Sequence, residues 1–197
     1  MKTSLIAFFI LLFSCKTETI PQKTALDYSN EISKIKSFIK QNNYNKKIAF
    51  MIDYSLHSGL PRFFVVNLNT NKILYKGLVC HGSCKDEKTN DSDYCKNVSN
   101  TKDTNCTSLG FALIADRAYS KWGKNYKYWL DGLEKTNNNM RKRVVVLHAW
   151  EGVPNEQIYP KALTTSWGCP TVSIDFLDTL DGVLKKEKRI VLYSFKS

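Results

Sequence analysis

Apolar residues recur along this chain in two different rhythms. From Ala25 to about Asn43 they fall at Tyr28, Ile32, Ile35, Phe38 and Ile39, a spacing that predicts one amphipathic helix. After that the pattern shortens into apolar, β-branched runs bounded by turn residues. These are Lys47 to Asp53, Arg62 to Asn67, Lys72 to Cys80 after the turn Asn69-Thr70-Asn71, Leu109 to Ala115, Val144 to His148, and Arg189 to Phe195. Helical spacing returns over Ile174 to Leu184, with Phe176, Leu177, Leu180 and Leu184 on one side. The pattern predicts a mostly β single domain with a helix at its start and another before its last strand. There is no internal repeat, phosphate-binding glycine loop or metal motif on a helix.

The first residues carry a different signal. Met1 to Ser4 is short and basic, and Leu5 to Phe13 is unbroken and apolar, too short to cross a bilayer as a helix. It ends in Leu12-Phe13-Ser14-Cys15, which resembles a lipobox whose cysteine is acylated and becomes the new N-terminus; an ordinary cleaved signal is the alternative. Residues 1–14 are thus expected to be a lipoprotein signal peptide, 15–46 a lipidated tether and helix, and 47–197 the main domain. The expected location is the cell envelope, outside the cytoplasm, on the periplasmic or outer-membrane face, with attachment through lipid on Cys15. The domain is expected to be monomeric.

Net charge is +11, and the loss of Lys2 with the signal would lower it by one. The lysines are spread along the chain and the compartment is wrong for nucleic acid, so an acidic envelope partner fits better. Six cysteines are present. With Cys15 set aside for lipid and Cys169 for chemistry, Cys80, Cys84, Cys95 and Cys106 remain around a polar stretch, Lys85 to Asn105, that buries little of itself. In an oxidising compartment they are expected to form two disulfides, with the pairing open. Zinc is the rival, because Cys80-His81-Gly82-Ser83-Cys84 has ligand-like spacing. No metal or cofactor is expected.

Ser166-Trp167-Gly168-Cys169-Pro170 is a tight turn carrying a single thiol, downstream of a buried strand ending on His148. Glycine lets the backbone bend and proline fixes φ, so the sulfur would be held in place. A thiol becomes a strong nucleophile when a base removes its proton, and histidine is the usual base. The pair points to cysteine acyl transfer.

Pieces along the chain then match a family in order: Met51-Ile52-Asp53 with Pro61-Arg62-Phe63; Cys80-His81-Gly82-Ser83; Val98-Ser99-Asn100; Ser108-Leu109-Gly110-Phe111; Leu130 to Glu134 with Asn137-Asn138; Arg143 to His148; and Ser166 to Pro170. From Phe50 onward the chain resembles the YkuD-type L,D-transpeptidase catalytic domain, in the branch called the murein L,D-transpeptidase catalytic domain family. The better-known branch has His where Trp167 stands here. The resemblance implies a β-sandwich, Cys169 as nucleophile, His148 as base, and peptidoglycan stem peptides as substrate. Backbone N–H groups of Gly168 and Cys169 would stabilise the oxyanion, and a carbonyl such as that of Ala149 would orient His148. The acyl group would pass to an amine, or to water in a carboxypeptidase or hydrolase. A wall-binding lipoprotein without activity is the third reading. Which cation reads the substrate carboxylate is not implied.

Other residues keep two readings each. His81 either lines the cleft or is a structural histidine at a strand end. Ser166 either contacts substrate or caps the turn. Trp167 either stacks on substrate or packs in the core, the commoner fate of tryptophan. Of Arg141, Lys142 and Arg143, one, with Arg143 the candidate, reads a carboxylate, or the run is simply solvated. His57 is expected at the surface.

Overall fold

The computed structural model describes residues 28–84 and 91–196; the signal-like segment and Cys15 lie outside the described residues. In chain order the elements are α1 (Ser29–Lys40), β1 (Ile48–Asp53), β2 (Phe63–Asn67), β3 (Lys72–Gly77), β4 (Gly110–Tyr119), β5 (Tyr126–Gly132), β6 (Val146–Ala149), β7 (Thr171–Val172), α2 (Ile174–Lys186) and β8 (Val191–Phe195). The strands form one sheet in the order β3-β2-β1-β8-β4-β5-β6-β7. The last strand thus lies in the middle, parallel to β1 and antiparallel to β4.

Central position explains the continuous apolar runs. Every residue of β1 is buried: Ala49 and Met51 face α1, whereas Phe50 and Ile52 face the main core. The helix α1 closes the first face with Ile32, Ile35 and Ile39, each contributing about 1.5–3 kcal/mol of burial. The second face is covered by α2, whose Leu177, Leu180 and Leu184 share one cluster with Phe63 of β2, Leu130 of β5, Leu147 of β6 and Val172 of β7. Strands β2 and β7, near opposite ends of the sheet, therefore meet one core. The sandwich expected from the sequence is a single sheet curled until nearly closed, with helices where the spacing placed them.

Local chemistry sets the boundaries. Ser173 caps α2 by accepting from the Phe176 N–H, with Asp175 in its first turn and Lys185 and Lys186 in its last. Asn67 accepts from the N–H groups of Asn69 and Thr70 to turn β2 into β3. Strand β5 was missed from the sequence, although Tyr126, Tyr128 and Leu130 alternate inward against Lys127 and Trp129.

The cysteine expectation needs correction. Cys84 and Cys106 form a disulfide, but Cys80 and Cys95 are buried free thiols. The two belong to different apolar clusters, Cys80 with Leu78, Val153 and Leu163, and Cys95 with the main core. Burial pushes the Cys80 thiol up to about 12 and raises that of Cys95 as well. With Cys84 oxidised, the zinc reading of the 80–84 segment loses a ligand.

Candidate active site

The sheet delivers His148 and the 166–170 turn to one place. In the parallel pairing of β6 with β7, His148 stands opposite Thr171, two residues beyond Cys169. The turn is anchored on its other side by a parallel bridge: Ser166 N–H donates to the His81 carbonyl at 2.7 Å and Ser83 N–H to the Ser166 carbonyl at 2.9 Å. Inside the turn, the Ser166 hydroxyl donates to the Cys169 carbonyl at 2.7 Å and accepts from Gly168 N–H at 3.2 Å. Ser166 is therefore a cap. Gly168 has φ +98°, and a Cβ there would lie 2.6 Å from the Cys106 carbonyl oxygen, so only glycine lets the turn press against the disulfide loop.

The Cys169 thiol is half-buried, accepting from Val146 N–H at 3.5 Å and donating to the Val144 carbonyl at 3.7 Å. Val144 itself has φ +58°, a strained conformation for a β-branched residue, and its carbonyl lies at the nucleophile. Burial raises the thiol pKa against the opposing influences of the Val146 N–H, Arg143 and Lys127. His148 Nδ1 lies 3.0 Å from the Ala149 carbonyl, which can only accept; Nδ1 is thus assigned the proton and Nε2 is left basic. Burial lowers the imidazole pKa, partly offset by the Ala149 bond and assisted by Lys127. Thiol and imidazole both rest neutral. Nε2 accepts from the Thr171 hydroxyl at 3.1 Å, and that hydroxyl also lies 3.3 Å from the Cys169 carbonyl. The structure brings base and nucleophile to neighbouring positions without a direct hydrogen bond between them. Thr171, unremarked in the sequence, is the link.

The remaining candidates separate. His81 is buried between Arg62, whose Nη2 reaches Nδ1 at 2.8 Å, and the Asp91 carbonyl, 2.8 Å from Nε2; it holds the loop to the strand end. Arg143 is committed to the same loop, donating to the Ser99 carbonyl, the Ser108 hydroxyl and the Cys106 carbonyl. Arg141 pairs bidentately with Asp131 at 2.6 and 2.8 Å. Trp167 does not take the commoner fate of tryptophan: it is 79% exposed, because its neighbour Gly168 turns it away from the core. His57 is not at the surface but buried, accepting from Gly59 N–H and edged by Tyr94 and Tyr159.

His81 makes stability depend on acidity. Burial first, then Arg62, lowers its pKa to about 4 from 6.5. Between those values the unfolded chain binds a proton that the folded chain does not. The stabilisation is full above pH 6.5 and is lost as pH falls toward 4, to an extent of about 3 kcal/mol. Urea unfolding at pH 7 and pH 4 should show that loss, and His81→Gln, although less stable at pH 7, should lose less on acidification.

With this geometry established, the chain can be placed. It belongs to the YkuD_2 family of L,D-transpeptidase catalytic domains, which matches residues 21–193 and so includes α1. Among solved structures, the Ldtfm–avibactam carbamoyl enzyme is 15% identical, with a TM-score of 0.45, over 77% of this chain and 49% of that one. The L,D-transpeptidase of Xylanimonas cellulosilytica is 9% identical, with a TM-score of 0.44, over 78% and 63%. The helical cell shape determining protein Pgp2 of Campylobacter jejuni is 9% identical, with a TM-score of 0.45, over 88% and 57%. The matched region thus spans between 49% and 63% of those chains. No curated protein matches the chain.

Proposed function

We propose that the protein is a lipid-anchored L,D-transpeptidase of the cell envelope, acting on peptidoglycan stem peptides through a Cys169 thioester. The observation that carries this reading is a thiol on a glycine-hinged turn beside a histidine whose basic nitrogen faces that turn, in a chain of this family. The Cys84–Cys106 disulfide supports an oxidising compartment, and the lipobox-like Leu12 to Cys15 supports the anchor.

In the proposed reaction His148 Nε2 takes the thiol proton, and the thiolate attacks the carbonyl joining an L-configured centre to a terminal D-residue. This requires the thiol to turn from the Val144 carbonyl toward Nε2, a contact that catalytic groups often complete only with substrate bound. The oxyanion is met by Cys169 N–H, which has no hydrogen-bond partner among the described residues; Gly168 N–H already bonds Ser166. The imidazolium then protonates the departing amine as the C–N bond breaks, leaving a thioester. An amine of a second stem peptide attacks the thioester, releases the thiol and forms the cross-link. Exposed Trp167 and Trp122 offer aromatic faces on which the peptide can lie; the Trp122 ring is 5.9 Å from that of His148.

Purified protein incubated with tetrapeptide muropeptides should yield cross-linked dimers and free D-alanine by mass spectrometry. Tripeptide and D-alanine without dimers would replace transfer by hydrolysis. No D-alanine release at all would sink the enzymatic reading.

A further inference from the structure

The cations expected to read a substrate carboxylate are engaged elsewhere. Arg143 holds the 99–108 loop, Arg141 is neutralised by Asp131, and the neighbouring Lys124 pairs with Asp178 at 2.9 Å. Lys127 is different. It is half-buried, and no carboxylate among the described residues pairs with its ammonium. The ammonium instead sits over two indole rings, 4.9 Å from the Trp129 centroid and 6.0 Å from that of Trp122.

Its place in the sheet is equally specific. Strands β5 and β6 pair Tyr128 with Leu147 and Trp129 with Val146, so the next step of that register sets Lys127 opposite His148. Strands β6 and β7 set His148 opposite Thr171. Cross-strand neighbours share a face, so Lys127, His148 and Thr171 form one row beside the turn that carries Cys169. The charge of Lys127 acts on both Cys169 and His148. A partnerless ammonium thus stands one strand away from the base, on the side opposite the Thr171 hydroxyl.

We propose that Lys127 is the specificity-determining cation of the site, and that it binds the α-carboxylate of the D-residue that leaves. This rests on the transpeptidase reading above. His148 must reach the departing amine, and in an amino-acid leaving group the carboxylate is attached to the same carbon as that amine. A cation one strand from the base therefore meets the carboxylate while the imidazole meets the nitrogen. The two indoles hold the ammonium in place without neutralising it. Donors would have to end immediately after the scissile bond, because an amide or a further residue removes the charge that Lys127 reads.

The test compares two acyl donors, a stem tetrapeptide with a free C-terminal carboxylate and its C-terminal amide, on the full protein. The wild type should favour the free acid by roughly ten- to hundredfold in kcat/KM, the range expected for a hydrogen bond to a charged group. Lys127→Met should lose that preference, mainly through KM on the free acid, with an unchanged melting temperature reporting an intact fold. Because the same charge acts on Cys169 and His148, the readout is the ratio of the two donors within each variant. Lys127→Arg should restore much of the preference. In a Cys169→Ala background, calorimetry should show weaker binding of the free acid alone when Lys127 is also replaced. If Lys127→Met discriminates as the wild type does, the proposal is wrong and the transpeptidase reading survives. If the wild type turns over neither donor, the transpeptidase reading falls and takes this one with it.

Discussion

Cys169→Ala is expected to lower acyl transfer by about four or more orders of magnitude while leaving the melting temperature nearly unchanged. The size follows from losing the atom that forms the thioester: what remains is binding and an oxyanion donor with nothing to attack the carbonyl. The fold should tolerate the change because the thiol is half-buried and its two polar contacts are long, 3.5 Å to Val146 N–H and 3.7 Å to the Val144 carbonyl. His148→Gln should be nearly as damaging, since burial keeps the thiol protonated at neutral pH and no other base among the described residues is placed to remove its proton. The two losses should not add, because nucleophile and base act as a unit. The pH profile supplies the sign. Burial depresses the imidazole, so the protonated, inactive form of His148 appears only below the ordinary histidine range, and kcat/KM should rise with pH along a limb centred below 6.5. Mass spectrometry of the acylated protein should find the adduct on Cys169 in the wild type and none in Cys169→Ala. Full activity in Cys169→Ala would overturn the mechanism.

How much of this was legible beforehand depended on whether a residue's meaning lies in its local segment. Cys169 is marked by the glycine and proline around it, and His148 by a β-branched run that stops on it; both marks are local. The helices were legible for the same reason, because Ile32, Ile35 and Ile39, or Leu177, Leu180 and Leu184, form a face within a few turns. Lys127 carries no local mark. It is the polar half of an alternating strand, and its relation to His148 exists only through the register of β5 on β6. Likewise β8 enters the sheet between β1 and β4, a placement that no spacing in the chain announces. Several matched pieces proved to be ties of irregular segments. Asn100 ties the 91–109 loop by donating to the Lys135 carbonyl and the Asn138 amide oxygen, and fully buried Asn137 ties its own turn to β4 by donating to the Phe111 carbonyl. Four cysteines around one polar segment suggested two bridges; which apolar cluster each thiol enters is a tertiary fact.

Arg62→Met is expected to be the most destabilising single change outside the site, costing about 3–5 kcal/mol. Arg62 is fully buried, and no carboxylate among the described residues lies within ion-pair distance of it. Its charge is instead dispersed over dipoles: Nε and Nη2 donate to the Val79 carbonyl at 3.0 and 2.9 Å, Nη1 donates to the Leu56 carbonyl at 2.9 Å, and Nη2 also donates to His81 Nδ1. Tyr54 lies 5.3 Å from the guanidinium carbon. A thioether of similar length fills much of the space but donates nothing, so three acceptors, two of them buried, lose their partner at once. The damage should also reach the site. His81 depends on Arg62 for its Nδ1 bond, and the His81 carbonyl receives the Ser166 N–H that anchors the nucleophile turn. Urea unfolding should therefore report the stability loss, and kcat in the folded fraction should fall while KM changes little, because the turn loosens without any substrate contact being removed. A variant as stable as the wild type, with unchanged kcat, would mean that the buried guanidinium supports neither the loop nor the turn.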